Sequence, residues 1–234
     1  MLNALKIAKS LHKTKQTTIQ LKSHLKLTLR EGVFVPDETT LQFIRTAAKL
    51  INRYRSRIGT IADVGTGSGI IALSIAKRFY DKQVYAYDIS TKALKLASYN
   101  ASSNRISNVL FFKNRHNIWM DSSYSSKIDF VVSNPPYVGD IEYFSKTFPL
   151  EYPDSRYQPI RAIRSYDKYG IRPYLRIIES ARKHEARYIL FRCDAKALNM
   201  ISREILSKEG IIIEKIGRGT TDGAFFFIKM PTKR

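Results

Sequence analysis

Apolar and polar positions follow two different rhythms along most of the chain. Short apolar runs, such as Thr60–Val64 and Val109–Lys113, have the length of buried β-strands. Between such runs, as in Thr91–Ser102, apolar residues recur at every third or fourth position, which is the spacing of an amphipathic helix. Strands and helices that alternate in this way predict a mostly parallel sheet with helices on both faces.

The pattern after residue 35 predicts a seven-stranded sheet. The strands are expected at Thr60–Val64, Gln83–Tyr87, Val109–Lys113, Ile128–Ser133, Arg187–Arg192, Ile211–Ile216 and Ala224–Lys229. The helices are expected at Thr39–Tyr54, Ile70–Phe79, Thr91–Ser102, Ile171–His184 and Ala195–Lys208. Sheets of this kind bind ligands beyond the carboxyl ends of their strands, so chemistry-bearing residues are expected there.

The first 35 residues have a different pattern. Apolar residues on one side of Met1–His12 predict a short amphipathic helix. Apolar and polar residues then alternate through Thr18–Val35, and Glu31-Gly32 has the composition of a tight turn. We therefore predict a basic N-terminal segment, residues 1–17, and a main domain, residues 18–234, into which a hairpin at residues 18–35 leads.

The charge of the chain is strongly positive. Lys and Arg number 40 against 20 Asp and Glu, which gives the 234 residues a formal charge of +20. Such a surface attracts polyanions, of which nucleic acid and ribonucleoprotein are the common ones. The ten Lys and Arg of Arg156–Arg192, interleaved with tyrosines, suit either nucleic-acid contact or a solvated helix face.

Residues 1–30 contain seven Lys or Arg and no acid. An acid-free basic N-terminus is similar to a mitochondrial presequence, but this one is rich in Lys rather than Arg. We therefore expect a cytoplasmic protein, with a mitochondrial location as the alternative.

Other classes of site and location are excluded by composition. Cys193 is the one cysteine, which rules out an internal disulfide framework and a cysteine-based zinc site. The four histidines are scattered without metal-ligand spacing, so we predict no metal. The apolar runs are too short to span a bilayer, so no membrane association is expected.

A glycine-rich loop follows the first strand of the predicted sheet and opens a helix. Its glycines, Gly65, Gly67 and Gly69, are spaced Gly-x-Gly-x-Gly, unlike the Gly-x-Gly-x-x-Gly of dinucleotide-binding loops. No Lys-Ser/Thr follows, so the loop is not a nucleoside-triphosphate loop. Asp63, just before it, would repel a pyrophosphate and favour a ligand that carries an amino group.

A second acid, Asp88, ends the next strand about 20 residues later, where carboxylates accept hydrogen bonds from ribose hydroxyls. Its alternative role is to cap the following helix, which Ser90 could do equally well. A ligand with ribose and an amino acid but no phosphate describes S-adenosylmethionine.

Another buried strand ends in Asn134-Pro135-Pro136-Tyr137. The prolines stop the strand and fix the backbone, and they lack an N–H, so nearby carbonyls stay free to accept hydrogen bonds. The Asn134 side-chain oxygen and a fixed carbonyl can hold both hydrogens of a planar –NH2 group. Tyr137 offers a flat wall for stacking.

These pieces together resemble the HemK/PrmC family of class I S-adenosylmethionine-dependent methyltransferases, which methylate a glutamine of release factors. The matching segments are Asp63-Val-Gly-Thr-Gly-Ser-Gly69, Tyr87-Asp-Ile-Ser90 followed by Ala93-Leu94, Asn134-Pro-Pro-Tyr137, and more weakly Gly32-Val-Phe-Val-Pro36 with Glu38 and Thr39, and Gln158-Pro-Ile-Arg-Ala-Ile163 with Gly170 and Tyr174. The resemblance covers about residues 18–190 and implies a Rossmann-like class I fold. Bacterial members carry a longer N-terminal helical domain than the roughly 17 residues that precede the hairpin here.

The resemblance implies two sets of site residues. The catalytic set is Asn134, Pro135, Pro136 and Tyr137. The cofactor set is Asp63, Gly65, Thr66, Gly67, Gly69, Asp88, Ile89, Asn117 and Asn134, with Asn114 as an alternative to Asn117 at the adenine.

The leading partner is a release factor bearing a Gly-Gly-Gln loop, with a small activating protein also implied by short family members. Two alternatives stay open. One is methylation of an exocyclic base amine in ribosomal or transfer RNA, because Asn-Pro-Pro-Tyr also serves such enzymes. The other is a non-catalytic RNA-binding protein that keeps the fold.

Overall fold

The computed structural model describes residues 3–114, 127–136, 159–160, 165, 167, 169–193, 201, 212–218 and 224–231. The helices in these ranges are α1 (Ala4–Thr14), α2 (Glu38–Arg53), α3 (Ile70–Arg78), α4 (Thr91–Ser103) and α5 (Arg172–Lys183). The strands are β1 (Gln16–Gln20), β2 (Lys26–Arg30), β3 (Thr60–Val64), β4 (Gln83–Asp88), β5 (Val109–Lys113), β6 (Phe130–Ser133), β7 (Tyr188–Cys193), β8 (Ile212–Arg218) and β9 (Ala224–Lys229).

The predicted alternation of strands and helices is confirmed. The strands β3 to β9 form one sheet in the order β5-β4-β3-β6-β7-β9-β8. β3 to β7 are parallel to one another, and β9 is antiparallel to both β7 and β8. The bounds of these strands and of α2 to α5 lie within two residues of the expected ones. The expected helix Ala195–Lys208 lies outside the described residues except for Ile201.

The sheet has a hydrophobic core on each face. Successive side chains of a strand point to opposite faces, and β7 shows this directly. Tyr188 and Leu190 join the core with α1, α2, α3 and the hairpin, whereas Ile189 and Phe191 join the core under α5. The buried Cys193 belongs to the second core. None of the helices in the described ranges combines the length and the apolar character that a bilayer span needs.

The hairpin forms, but the expected position of its turn is wrong. β1 pairs with β2 in an antiparallel register that places Ile19 opposite Leu27, so the turn lies between Gln20 and Lys26. His24 takes a left-handed backbone conformation there, with φ 59°. Glu31 and Gly32 form a separate turn after β2. The alternation could not locate the hairpin turn because it runs with the same period through both strands.

The N-terminal helix and the hairpin pack onto the main domain. Ala8 and Leu11 of α1 are buried in the same core as α2 and α3. Asn100 of α4 and Asn104, which directly follows α4, then bond the backbone of β2 as a further strand would. Asn100 accepts from Thr28 N and donates to Thr28 O, both at 2.9 Å. Asn104 does the same for Lys26, at 2.9 Å and 2.6 Å.

Candidate functional site

Four polar residues lie at the carboxyl ends of four neighbouring parallel strands. Asp63 is in β3 and Asp88 ends β4, while Asn114 and Asn134 directly follow β5 and β6. β3 lies between β4 and β6, so the order of the strands reverses at this point. Open α/β sheets bind ligands in the crevice at such a reversal. The fold therefore gathers the predicted residues of the strands β3, β4 and β6 at one edge of the sheet.

Asp63 is fully buried, and one of its oxygens organises the glycine loop, residues 65–69. Oδ2 accepts hydrogen bonds from Thr66 Oγ1 at 2.8 Å and from Ala72 N at 3.1 Å. Oδ1 is buried without a hydrogen-bond partner among the described residues. Burial raises the pKa of Asp63 to about 7, and the charge of Asp88 adds to the effect. Oδ1 is therefore placed to accept from a cationic or N–H donor.

Asp88 ties the glycine loop to the end of β4. Its Oδ2 accepts from Gly67 N at 2.9 Å, and its Oδ1 accepts from Ser90 N at 2.8 Å. Burial raises the pKa of Asp88, and these backbone bonds oppose the shift. Ser90 caps α4, since its side chain accepts from Ala93 N at 3.2 Å. Asp88 is thus not the cap, and each of its oxygens keeps a lone pair for a ligand hydroxyl.

Two glycines of the loop serve different purposes. Gly69 has φ +85°, and a Cβ added to it would lie 3.0 Å from Ala97 Cβ, so glycine allows the loop to pack closely on α4. Gly65 has φ +81°, and a Cβ there would meet no heavy atom within 4 Å. Its N–H donates to Tyr87 O at 2.8 Å, which holds the loop against β4. The loop is therefore fixed on the side of α4 and open at Gly65.

Asn134 begins the segment after β6. The preceding Ser133 is fixed by a hydrogen bond from its Oγ to Val64 O at 2.6 Å, which joins β6 to β3. Asn134 Oδ1 is buried and has no hydrogen-bond partner within the described ranges. Pro135 is buried and Pro136 is half-buried. The predicted Tyr137 lies outside the described residues, so the structure carries no information on its stacking.

The end of β5 offers an asparagine that the sequence left as an alternative. Asn114 is buried, and its N–H donates to Asp88 O at 2.9 Å. Asn114 Oδ1 is another buried oxygen with no partner in the described part of the chain. Asn117 lies outside that part. Ile89 is 42% exposed, which leaves an apolar side chain uncovered beside Asp88.

Three buried oxygens, those of Asp63, Asn114 and Asn134 that lack partners in the described part of the chain, limit the kind of ligand that fits. A buried acceptor that finds no donor costs about 1–3 kcal/mol, so several at one sheet edge favour a ligand rich in donors. S-adenosylmethionine carries an ammonium group, two ribose hydroxyls and an adenine amine, so the residues present fit it. No group of three or more His, Cys, Asp or Glu in the described ranges could hold a metal ion.

Sequence reasoning missed Asn100, which connects the hairpin to the glycine loop. Besides its bonds to Thr28, its Nδ2 donates to Ser68 O at 2.9 Å. The signal was present in the sequence. With Ala93, Leu96, Ala97 and Ala101, Asn100 occupies the apolar stripe of α4, and a polar residue at a core position must find partners.

Arg192 was counted among exposed cations, and this interpretation is wrong. The residue is 5% exposed, and its guanidinium bonds Asp37 Oδ2 at 3.2 Å. Asp37 also caps α2 by accepting from Thr40 N at 2.6 Å. Arg192 follows Phe191, which pairs with Ser133, so this ion pair lies one strand away from Asn134. The 155 residues between the partners hide such a pairing from local sequence patterns.

Residues 25–147, more than half of the chain, match the methyltransferase small domain family. Among curated proteins, the chain is 33% identical over 165 residues to the release factor glutamine methyltransferase of Thermodesulfovibrio yellowstonii, covering 69% of this chain and 55% of that protein. It is 34% identical over 115 residues to the one of Fusobacterium nucleatum, covering 49% and 31%. The chain thus spans about half or less of the length of these relatives.

Solved structures share the fold. The hMettl16 catalytic domain in complex with a MAT2A 3'UTR hairpin superposes with TM-score 0.67 at 14% identity, covering 97% of this chain and 79% of that one. The N-terminal domain of human METTL16 in complex with SAH gives 0.59 at 16% identity, covering 84% and 72%. A ribosomal protein L11 methylase from Lactobacillus delbrueckii gives 0.53 at 18% identity, covering 82% and 79%.

The strand order with antiparallel β9 is the class I methyltransferase pattern, as the resemblance implied. The family match and the buried oxygens that lack donors among the described residues both fit a site for S-adenosylmethionine, at the point where the strand order reverses. The chain belongs to the methyltransferase small domain family.

Proposed function

We propose that this protein is an S-adenosylmethionine-dependent methyltransferase that methylates the side-chain amide nitrogen of the glutamine in the Gly-Gly-Gln loop of a peptide-chain release factor. The observation that carries the proposal is the buried Oδ1 of Asn134, which has no partner among the described residues and lies next to the strand that leads into the glycine loop. The choice of glutamine is supported by the release factor glutamine methyltransferases that are 33–34% identical over part of the chain.

Asn134 and Pro135 hold the acceptor nitrogen. A primary amide presents two N–H donors in one plane, and Asn134 Oδ1 with the Pro135 carbonyl offers two acceptors. When both hydrogens are engaged, the nitrogen is oriented with its lone pair out of that plane and toward the methyl donor. Fixing two reacting groups in line supplies about 7–11 kcal/mol of the barrier in favourable cases. The proton can leave to water, because the nitrogen becomes acidic as it gains positive charge.

The proposed cofactor site lies at the carboxyl ends of β3, β4 and β5, whereas Asn134 follows β6 on the other side of the reversal in strand order. S-adenosylmethionine supplies an electrophilic methyl group on a sulfonium. Asp88 would accept from the ribose hydroxyls, Asp63 Oδ1 from the amino group, and Asn114 or Asn117 from the adenine amine. The exposed Ile89 would contact the adenine, and the open side of Gly65 would let the ligand approach the backbone. Thr66 acts through its bond to Asp63.

The test is single-turnover transfer from labelled S-adenosylmethionine to a purified release factor. The control acceptor carries Gly-Gly-Glu, which keeps the shape of the loop but removes the amide nitrogen. We expect label in the Gly-Gly-Gln protein and none in the control. The assay is run with and without cell extract, because the resemblance also predicts a small activating protein. Equal labelling of the two acceptors would contradict the proposal.

A second candidate substrate is an exocyclic amine of a base in ribosomal or transfer RNA. The net charge of +20 favours it, since phosphate neutralisation contributes strongly to RNA affinity. The same Asn134 site would hold a base amine, which is also a planar –NH2 group. Incubation with total cell RNA and protein, followed by nuclease or protease treatment, assigns the labelled product. Failure to label either class would favour the non-catalytic RNA-binding alternative.

A further inference from the structure

We infer that the N-terminal module, residues 3–31 comprising α1 and the β1–β2 hairpin, is a docking surface for the phosphate backbone of structured RNA. This inference is independent of the proposed acceptor, because a release factor and an RNA base are both met in ribonucleoprotein surroundings. The inference concerns RNA binding, so it can be tested without any methyl transfer.

The module presents a stripe of lysines on the solvent side of α1. Lys6, Lys9 and Lys13 are exposed and fall within about 60° of arc on a helix with 3.6 residues per turn. Ala8 and Leu11, the buried residues, fall on the opposite side. The stripe is about 10 Å long, a length over which a nucleic-acid strand presents several phosphates.

The charge of this surface is not neutralised within the described part of the chain. Lys6, Lys9 and Lys13, together with Lys22 and Lys26 of the hairpin, have no carboxylate within ion-pair distance among the described residues. Glu31 pairs with Lys15 at 2.8 Å and with the His12 ring at 3.6 Å. Five exposed cations without acid partners favour an extended polyanion as the ligand.

The cations of α5 are a weaker candidate surface. Arg176 and Lys183 both pair with Glu179, at 3.1 Å and 3.2 Å. Arg192 is buried against Asp37. Arg176, Lys183 and Arg192 of β7 are thus partly neutralised, whereas Arg172 and Arg182 of α5 are exposed and have no carboxylate within ion-pair distance among the described residues. This region therefore presents two unneutralised cations, compared with five on the N-terminal module. The N-terminal module is therefore the stronger candidate for polyanion binding.

A membrane surface is a poorer match than RNA. Amphipathic helices that bind anionic lipid insert their apolar face into the bilayer. The apolar residues Ala8 and Leu11 of α1 are already buried in the core of the protein. The exposed side of the helix offers charge without an apolar face, which suits a solvated phosphate backbone.

The module is also rigidly connected to the cofactor loop. Asn100 bonds Thr28 of β2 and Ser68 of the glycine loop with the same side chain. At the other end of the hairpin, Lys77 Nζ donates to His24 O at 2.7 Å. RNA held on the module is therefore held at a fixed position relative to the site.

The test measures binding of a fluorescein-labelled RNA hairpin of about 20 nucleotides to the full chain over a salt series. We expect the triple variant Lys6→Gln, Lys9→Gln, Lys13→Gln to lose affinity about tenfold or more and to lower the slope of log K against log salt by about 2–3. The control triple variant, Lys49→Gln, Arg57→Gln, Arg182→Gln, removes equal charge from exposed residues elsewhere and should change affinity less than about twofold.

Equal losses in the two triple variants would overturn the inference, because they would assign binding to the net charge and not to the module. A wild-type affinity that does not depend on salt would overturn it as well. So would binding to phosphatidylserine vesicles with none to the RNA hairpin. All three proteins are compared by thermal melting, and the substituted side chains are exposed, so folding is expected to be unchanged.

Discussion

The two sides of the candidate site are built differently. On the cofactor side, Asp63 and Asp88 are each bound to the glycine loop by hydrogen bonds, so both carboxylates also hold the backbone in place. On the acceptor side, Asn134 has a side-chain oxygen that bonds to nothing in the described part of the chain. In the proposed function, Asp63 and Asp88 would therefore both hold the loop and bind the cofactor, whereas Asn134 would act on the acceptor alone.

This difference separates two kinds of mutational effect. Removing a cofactor-side carboxylate leaves loop N–H groups without acceptors, so it should lower both stability and affinity. Removing the Asn134 amide takes away no observed contact, so it should lower turnover while stability stays nearly constant. For each variant, the loss of stability can be compared with the loss of affinity or turnover. This comparison tests whether the cofactor side and the acceptor side differ in this way.

The largest effect is expected for Asn134→Ala. Turnover should fall by about 100-fold or more, because a contact that orients the reacting nitrogen is lost. The melting temperature and the affinity for S-adenosylmethionine should barely change. Asn52→Ala, which removes an exposed amide from α2, serves as the matched control and should leave all three quantities unchanged.

Asn134→Asp gives a sharper form of the same experiment. The carboxylate keeps an acceptor at the same position, but its charge must be desolvated in the closed site. We expect turnover on glutamine to remain low. If a substitution of Asn134 lowers the affinity for S-adenosylmethionine as strongly as turnover, Asn134 belongs to the cofactor side. The two sides of the site would then not differ as described.

Asp88→Ala should show the opposite signature. The affinity for S-adenosylmethionine should fall by about 1–3 kcal/mol, roughly 5- to 150-fold in Kd, because ribose hydroxyls lose their acceptor. The melting temperature should fall too, since Gly67 N and Ser90 N lose theirs. Ser90→Ala is the control, because it removes the helix cap for about 1 kcal/mol of stability without touching the carboxylate. Calorimetry that finds unchanged affinity in Asp88→Ala would exclude Asp88 from the site.

The two asparagines after β5 are distinguished by a smaller effect. The sequence left both Asn114 and Asn117 open for the adenine amine, and Asn114 has a buried oxygen that lacks a donor among the described residues. We expect Asn114→Ala to weaken S-adenosylmethionine binding about fivefold or more, the loss of roughly one hydrogen bond. Cofactor analogues that carry a hydrogen at C6 in place of the amine have no donor for Asn114 Oδ1, so they should bind this variant and the wild type alike. A larger effect of Asn117→Ala would instead assign the adenine amine to Asn117.

The sheet and the strand-end residues could be predicted because their signals are local. Buried parallel strands read as short apolar runs, and Asp63, Asp88 and Asn134 directly follow or end such runs. The contacts that were missed join distant segments. Asn100 and Thr28 are 72 residues apart, and Arg192 and Asp37 are 155 apart. A sequence pattern can show that Asn100 needs partners, but not which ones.

The smallest effect expected is the pH dependence of stability due to Asp63. The folded protein keeps a proton on this carboxyl up to its pKa of about 7, whereas an unfolded chain loses it near pH 4. Between these values the folded state binds more protons, so stability falls as pH rises. Melting temperatures should therefore decrease by several degrees between about pH 5 and pH 8, at about 2–4 °C per kcal/mol for a chain of this size.

Other groups, including Asp88, contribute in the same range, so the measured quantity is the difference in slope between the wild type and Asp63→Asn. The amide can keep the bonds from Thr66 and Ala72 but cannot ionise, so its slope should be shallower. Asp81→Asn, which removes an exposed ion-paired carboxylate, should keep the wild-type slope.

Saturating S-adenosylmethionine should flatten the wild-type curve toward that of Asp63→Asn, because an amino group near Oδ1 favours the charged carboxylate. Parallel curves for the wild type and Asp63→Asn would mean that the carboxyl is already ionised in the folded protein, and would remove the proposed role of its burial.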